Sequence, residues 1–214
     1  MIKNIFFDFD GVIAESVYVK TEAFHQIYSP FGEDIARKVV EHHINNGGMS
    51  RFMKFKLYHD KFLNKNLNEQ EIANFSERFS KLVKNKVINA PEVPGVRNFL
   101  KKYNKNMKFW IVSGTPTNEI REIIHKKKMD QFFKGIYGSP EVKTVITKQI
   151  IAQEGLRKDE TIFLGDALSD YKAAKNTQIN FALRNTIDNK NIFKKINILS
   201  FNDFYDFEKL LEEL

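Results

Sequence analysis

The sequence predicts an α/β fold: a doubly wound parallel sheet interrupted by one helical insertion. Three observations predict it. Short apolar runs of β-type residues recur along the chain, each acidic or hydroxyl-bearing cluster follows such a run, and the segments between them have helical periodicity. Residues from about 16 to 89 break that alternation and read as helices only. The expected organisation is therefore a core built from 1–15 and 90–214, with 16–89 as a separate helical unit.

Ile5-Phe6-Phe7 is the first predicted strand, followed by Phe109-Trp110-Ile111-Val112, Thr161-Ile162-Phe163-Leu164 and Ile179-Asn180-Phe181-Ala182-Leu183. Apolar residues in consecutive positions suit strands buried on both faces. Within the insertion, helices are predicted over Glu33 to His43, Ser50 to Leu63 and Glu69 to Lys86, with a polar break at Asn45-Asn46-Gly47-Gly48. Pro91 and Pro94-Gly95 mark the return to the core. Beyond the second strand, Thr117 is expected to cap a helix with Ile120, Ile123 and Ile124 on its apolar face. Val142, Val145, Ile146 and Ile150 recur at helical spacing in the next one.

A chain of 214 residues with 42% hydrophobic side chains can bury a sizeable core. It has no cysteine, which excludes disulfides, thiolate catalysis and zinc-thiolate sites and fits a reducing compartment. No apolar run approaches the length needed to span a membrane, so a cytoplasmic protein is expected, a monomer or weak homo-oligomer. The net charge is +7. Residues 16–89 carry 12 basic and 8 acidic side chains and the remainder 22 and 19, so the excess is dispersed and argues against a nucleic-acid partner.

The candidate chemistry sits where strands end. Asp8 and Asp10 are two residues apart, so in an extended segment they share one side, and Gly11 lets the backbone turn beside them. Two carboxylates placed together repel, and a hard divalent cation such as Mg²⁺ relieves that repulsion. Ser113-Gly114-Thr115 offers hydroxyls and backbone N–H groups at a helix N-terminus, a natural place for an anion. Asp166 is a further candidate metal ligand, with Asp170 supporting it. Lys143 and Lys148 are rival candidates for neutralising phosphate charge.

In this combination the chain resembles the haloacid dehalogenase-like superfamily, in its phosphatase branch. Asp8-Phe9-Asp10-Gly11-Val12 is similar to the first motif, Ser113-Gly114-Thr115 to the second, Lys143 to the third, and Gly165-Asp166 with Asp170 to the fourth. The stretch Gly138-Ser139-Pro140-Glu141-Val142-Lys143 selects Lys143 over Lys148, although Thr144 stands where many relatives have proline. The resemblance implies a Rossmann-like core with a mobile cap domain formed by 16–89, and Glu15 near its hinge. It also implies an Mg²⁺-dependent phosphomonoester hydrolase. Asp8 is then the nucleophile and Asp10 the acid and base, assisted by Ser113 and Lys143. The metal lies on Asp8, the carbonyl of Asp10 and Asp166, with Asp170 behind them.

An acid at Asp10 favours a phosphatase or phosphomutase over dehalogenases and phosphonate hydrolases, which lack it. The partner expected is a small phosphorylated metabolite, a sugar phosphate or phosphorylated small acid. Gly114 and Thr115 would hold its phosphate. His42, His43, Asn46, Gly48, Ser50 and Arg51 around the cap turn would read the rest, Arg51 through a charged hydrogen bond. The rival readings are a β-phosphoglucomutase-like mutase and a non-catalytic binding protein on the same fold.

Overall fold

The structure, a computed structural model, describes residues 1–213. Strand β1 (Asn4–Phe7) enters the centre of the sheet, and the chain then leaves for a four-helix unit: α1 (Val17–Tyr28), α2 (Glu33–Asn45), α3 (Arg51–Leu63) and α4 (Glu69–Asn89). The remainder adds α5 (Val96–Tyr103), β2 (Lys108–Pro116), α6 (Thr117–Lys126), β3 (Gly135–Ser139) and α7 (Lys143–Gln153). It ends with β4 (Thr161–Gly165), α8 (Leu168–Thr177), β5 (Asn180–Arg184), β6 (Ser200–Phe201) and α9 (Phe204–Glu212). The strands run in the order β3-β2-β1-β4-β5-β6, and all five pairings are parallel.

The two-residue period of the central strands divides the core. Ile5, Phe7, Ile111 and Leu164 pack on one side with Phe99, Ile123 and Phe204, while Phe6, Trp110, Val112 and Phe163 pack on the other with Ile146, Ile150, Ala173 and Ala174. Helices α5, α6 and α9 thus cover one face and α7 and α8 the other, the doubly wound arrangement expected. Each large side chain so buried contributes roughly 1.5–3 kcal/mol. The phenylalanines serve mainly this purpose; Phe7 alone has the rings of Phe99, Phe109, Phe133 and Phe204 around it.

Several local expectations are corrected. Strands β3 and β6 were not foreseen, since β3 (Gly-Ile-Tyr-Gly-Ser) is glycine-rich and β6 has only 2 residues. Thr117 does not cap α6: Pro116 holds that position. The Thr117 hydroxyl instead donates to the Gly138 carbonyl (3.0 Å) and accepts the Gly138 N–H (2.9 Å), tying α6 to β3. Of the four residues expected on the apolar face of α7, Val142 is exposed and Val145 only half-buried, while Ile146 and Ile150 are buried in the core.

The helical unit joins the core by two chain segments lying side by side. The Glu15 N–H donates to the Pro91 carbonyl (2.8 Å) and the Val93 N–H to the Ile13 carbonyl (3.0 Å). Arg184 clamps this crossing, donating to Glu15 Oε2 (3.0 Å) and to the Gly11 carbonyl (3.3 Å). Inside the unit, Phe24, Phe55, Tyr58 and Phe79 form an aromatic core, with the Phe24 and Phe79 rings 4.6 Å apart. Ser50 caps α3 by accepting the Met53 N–H (3.4 Å). Asn68 and Glu71 cap α4 reciprocally. Among the described residues no helix is long and apolar enough to cross a membrane.

Candidate active site

The carboxyl ends of β1, β2 and β4 converge, as the parallel topology requires. Asp8 continues the β1 ladder, donating its N–H to the Leu164 carbonyl (2.9 Å), and its Oδ1 accepts the Phe9 N–H (2.6 Å). Oδ2 lies 2.8 Å from Lys143 Nζ, which also donates to Asp170 Oδ1 (2.6 Å). Asp170 Oδ2 accepts the Ala167 N–H (3.1 Å), so both its oxygens are engaged within the protein. Asp8, Asp166 and Asp170 bring carboxylate oxygens within 4.8 Å of one another. A Cβ at Gly11, whose φ is +75°, would run into the Asp166 carboxylate, so glycine there keeps the cluster intact.

Burial, with repulsion from Asp170 and Asp10, pushes Asp8 up to about 7 despite the pull of Lys143. Burial and the neighbouring Asp8 raise Asp166 well above the carboxylate range. Burial would discharge Lys143, but Asp170 and Asp8 outweigh it and hold the ammonium above its ordinary value. This is a cluster short of positive charge. Its donors are hard oxygens of the kind that Mg²⁺ takes, and the carboxylates that could reach one ion together are those of Asp8, Asp166 and Asp170, the last already engaged by Lys143 and Ala167. The Asp10 carbonyl accepts no hydrogen bond among the described residues.

Asp10 faces a different niche. Ser16 Oγ donates to its Oδ1 (2.6 Å), and Lys20 Nζ forms a short ion pair with Oδ2 while donating to Thr115 Oγ1 (2.7 Å). Burial would raise Asp10, but the Lys20 charge, with hydrogen bonds from Lys20 and Ser16, holds it below the usual range. Ser113 is buried, and its Oγ accepts the Thr115 N–H (3.1 Å) while its hydroxyl hydrogen has no acceptor among the described residues.

The pattern that defines the haloacid dehalogenase-like hydrolases matches residues 5–183 of this sequence, taking in all four motifs around these carboxylates. The chain belongs to that hydrolase family. A phosphoglycolate phosphatase of Pseudomonas putida is 24% identical over 181 residues; the alignment covers 80% of this chain, which spans only 65% of that protein's length. Among solved structures, the β-phosphoglucomutase of Clostridium difficile has the same fold, with a TM-score of 0.79 at 21% identity over 100% of this chain and 97% of that one. A haloacid dehalogenase-type hydrolase of Bacillus subtilis, whose structure holds magnesium, matches with a TM-score of 0.70 at 12% identity, covering 99% of both chains.

The cap of this hydrolase sits directly on its motifs. One cleft is lined by Asp8, Asp10, Asp166, Gly114 and Thr115 from below and by His43, Gly48, Arg51 and Lys54 from above. About 830 Å³ of empty space, open solvent included, lies between these two walls. The cap turn touches the core: Ser169 Oγ donates to the Gly47 carbonyl (3.3 Å), and a Cβ at Gly114 would come within 2.6 Å of the Gly48 oxygen.

The predicted cap residues part ways. His43 and Gly48 line the cleft, but His42 turns aside to Tyr58 Oη (3.1 Å), Asn46 donates to the His42 carbonyl (3.0 Å), and Ser50 spends its hydroxyl on the helix cap. Arg51 lines the cleft, yet its guanidinium is held by Glu119 of α6 through two hydrogen bonds of 2.9 and 2.6 Å and by Ser80 (2.6 Å). It bridges cap and core, with the Phe79 ring beneath it at 4.6 Å. Lys20 and Lys54 were missed. A signal existed for both: Val17, Lys20 and Phe24 share one face of α1, and Lys54 follows Arg51 by three on α3.

Proposed function

We propose that this hydrolase is an Mg²⁺-dependent phosphatase that cleaves a phosphomonoester of a small polar metabolite, a sugar phosphate or phosphorylated small acid, through an aspartyl-phosphate on Asp8. The observation that carries the reading is the division of two neighbouring carboxylates between opposite environments. Asp8 belongs to the cluster that lacks positive charge, and Asp10 to the niche of Lys20, Ser16 and Thr115. Two titratable groups driven apart in this way are suited to two roles.

In the first step an Asp8 oxygen bonds to phosphorus as the bond to the leaving alcohol breaks, and Asp10 gives the departing oxygen its proton. In the second, water attacks phosphorus and gives a proton to Asp10 as the bond from phosphorus to the Asp8 oxygen breaks, releasing inorganic phosphate and restoring the Asp8 carboxylate. Lys20 holds Asp10 ionised in the ligand-free cleft, and an arriving phosphate dianion opposes that by raising its proton affinity. Lys143 and the Ser113 hydroxyl stabilise charge on the phosphoryl oxygens. Asp8, Asp166 and the Asp10 carbonyl would hold Mg²⁺, with Asp170 orienting Lys143 behind them; the bound ion would supply positive charge against the same oxygens.

Release of inorganic phosphate from a panel of phosphorylated metabolites, with and without Mg²⁺, tests this reading. Turnover that depends on the metal supports it. Full turnover in excess chelator, or retained by Asp8→Asn, overturns it.

A further inference from the structure

Four cationic side chains stand in or directly behind the cleft: Lys20, Arg51, Lys54 and Lys143. Three are matched by carboxylates: Lys20 by Asp10, Arg51 by Glu119, and Lys143 by Asp8 and Asp170. Lys54 is the exception. It is 1% exposed and has no carboxylate partner among the described residues; Nζ donates to His43 Nδ1 (2.7 Å) and reaches the His43 carbonyl only at 3.4 Å. Phe24 lies beneath it, 5.6 Å from the ring centre.

Burying an ammonium without a counter-charge is unfavourable. Burial and the nearby Lys20 accordingly bring Lys54 down to about 7. Burial and the Lys54 charge keep His43 neutral at neutral pH, well below its ordinary value. When Lys54 is the ammonium it can only donate, so Nδ1 accepts and the proton of the neutral His43 ring lies on Nε2, which has no hydrogen-bond partner among the described residues. In that form the pair offers N–H groups at the cleft that both residues line.

We propose that Lys54 and His43 form a second anion subsite, so that the preferred substrate carries, besides its phosphoryl group, another negative group on the same short carbon frame. The inference rests on the phosphatase reading for the identity of the first group. It assigns the charge reading in the cap to Lys54, because Glu119 already satisfies Arg51. An incoming carboxylate or second phosphate supplies the missing counter-charge and accepts from Lys54 Nζ and His43 Nε2.

The test uses ligands that cannot be hydrolysed, so that it does not depend on turnover. Equilibrium binding of 3-phosphonopropionate, propane-1,3-bisphosphonate and propylphosphonate is measured on the full chain with Mg²⁺ present. At least one of the two ligands bearing a second anion should bind about tenfold or more tighter than propylphosphonate, as a charged hydrogen bond predicts. Lys54→Met should abolish that ratio. A preference for the carboxylate identifies phosphorylated acids as the substrate class, and a preference for the bisphosphonate identifies bisphosphates. Equal affinity for all three in the wild type overturns the proposal, as does a ratio that survives Lys54→Met and Lys54→Gln, the latter covering poor folding of the first. If the ratio behaves as expected while no phosphomonoester is turned over, the phosphatase reading fails and the subsite stands.

Discussion

The core motifs and the cap turn face each other across one cleft, but they handle charge in opposite ways. Below, three carboxylates crowd around one lysine, and the surplus is negative. Above, Arg51 is neutralised across the domain boundary by Glu119, and Lys54 has no carboxylate partner among the described residues. The lower half is short of a cation and the upper half of an anion. A phosphorylated acid or bisphosphate together with Mg²⁺ would complete both.

The largest expected effect breaks the lower half. Asp8→Asn removes the nucleophile and should reduce kcat roughly 10⁴-fold or more, read by phosphate release at saturating Mg²⁺. The fold should survive, because Lys143 keeps Asp170 as a partner. A loss of only a few-fold would mean that Asp8 is not the nucleophile.

Next comes the bridge between the halves. Arg51 and Glu119 have side chains 4% and 9% exposed, so removing one partner strands a buried charge. Arg51→Met should lower stability by about 3–5 kcal/mol or open the cap, and the double variant Arg51→Met with Glu119→Gln should recover most of it. Denaturant unfolding of the three proteins checks this. A double variant no better than the single would show that the ion pair itself, rather than the stranded carboxylate, matters.

The third prediction concerns pH. In chelator, Asp8 is raised from 3.8 to about 7 in the folded state, so the native chain binds this proton more tightly than the unfolded one. That contribution stabilises the fold below the unfolded value and is lost as pH rises through the folded one, and Asp166 acts in the same direction. Mg²⁺ needs both groups ionised, so its stabilisation should grow with pH. A hundredfold excess over Kd corresponds to about 2.7 kcal/mol, a rise in Tm of roughly 5–10 °C near pH 8 and much less near pH 5.5. An equal Mg²⁺ effect at both pH values would contradict the ligand assignment.

The smallest effect sharpens the boundary of the upper half. His42→Phe loses a hydrogen bond to Tyr58 outside the cleft and should cost about 0.5–1.5 kcal/mol in stability without changing kcat/KM. A selective kinetic loss would return His42 to the substrate.

Residues fixed by their own strand end could be read directly from the sequence. Asp8, Ser113 and Asp166 follow apolar β runs, and parallel pairing then brings them together whatever the loops do. Three helices of the insertion were legible for the same local reason, while α1 was not placed and Ser50, read as a substrate contact, caps α3. Arg51 was read as a substrate contact because its partner lies 68 residues away and nothing local announces Glu119. Lys20 and Lys54 went unread because an isolated lysine on a helix is ordinarily solvated; only its sharing a face with buried aromatics marks it, and that pattern is weak without the fold. Strand β3 failed on composition, its two glycines masking a strand that needs little more than the edge of β2.

The most direct test is to mix the enzyme and Mg²⁺ rapidly with a phosphomonoester carrying labelled phosphate, quench in acid within a single turnover, and locate the label by peptide mapping. The account predicts label on Asp8, absent from Asp8→Asn and formed no more slowly than phosphate is released. Label on another residue, or full turnover with no labelled protein at any time, would contradict it.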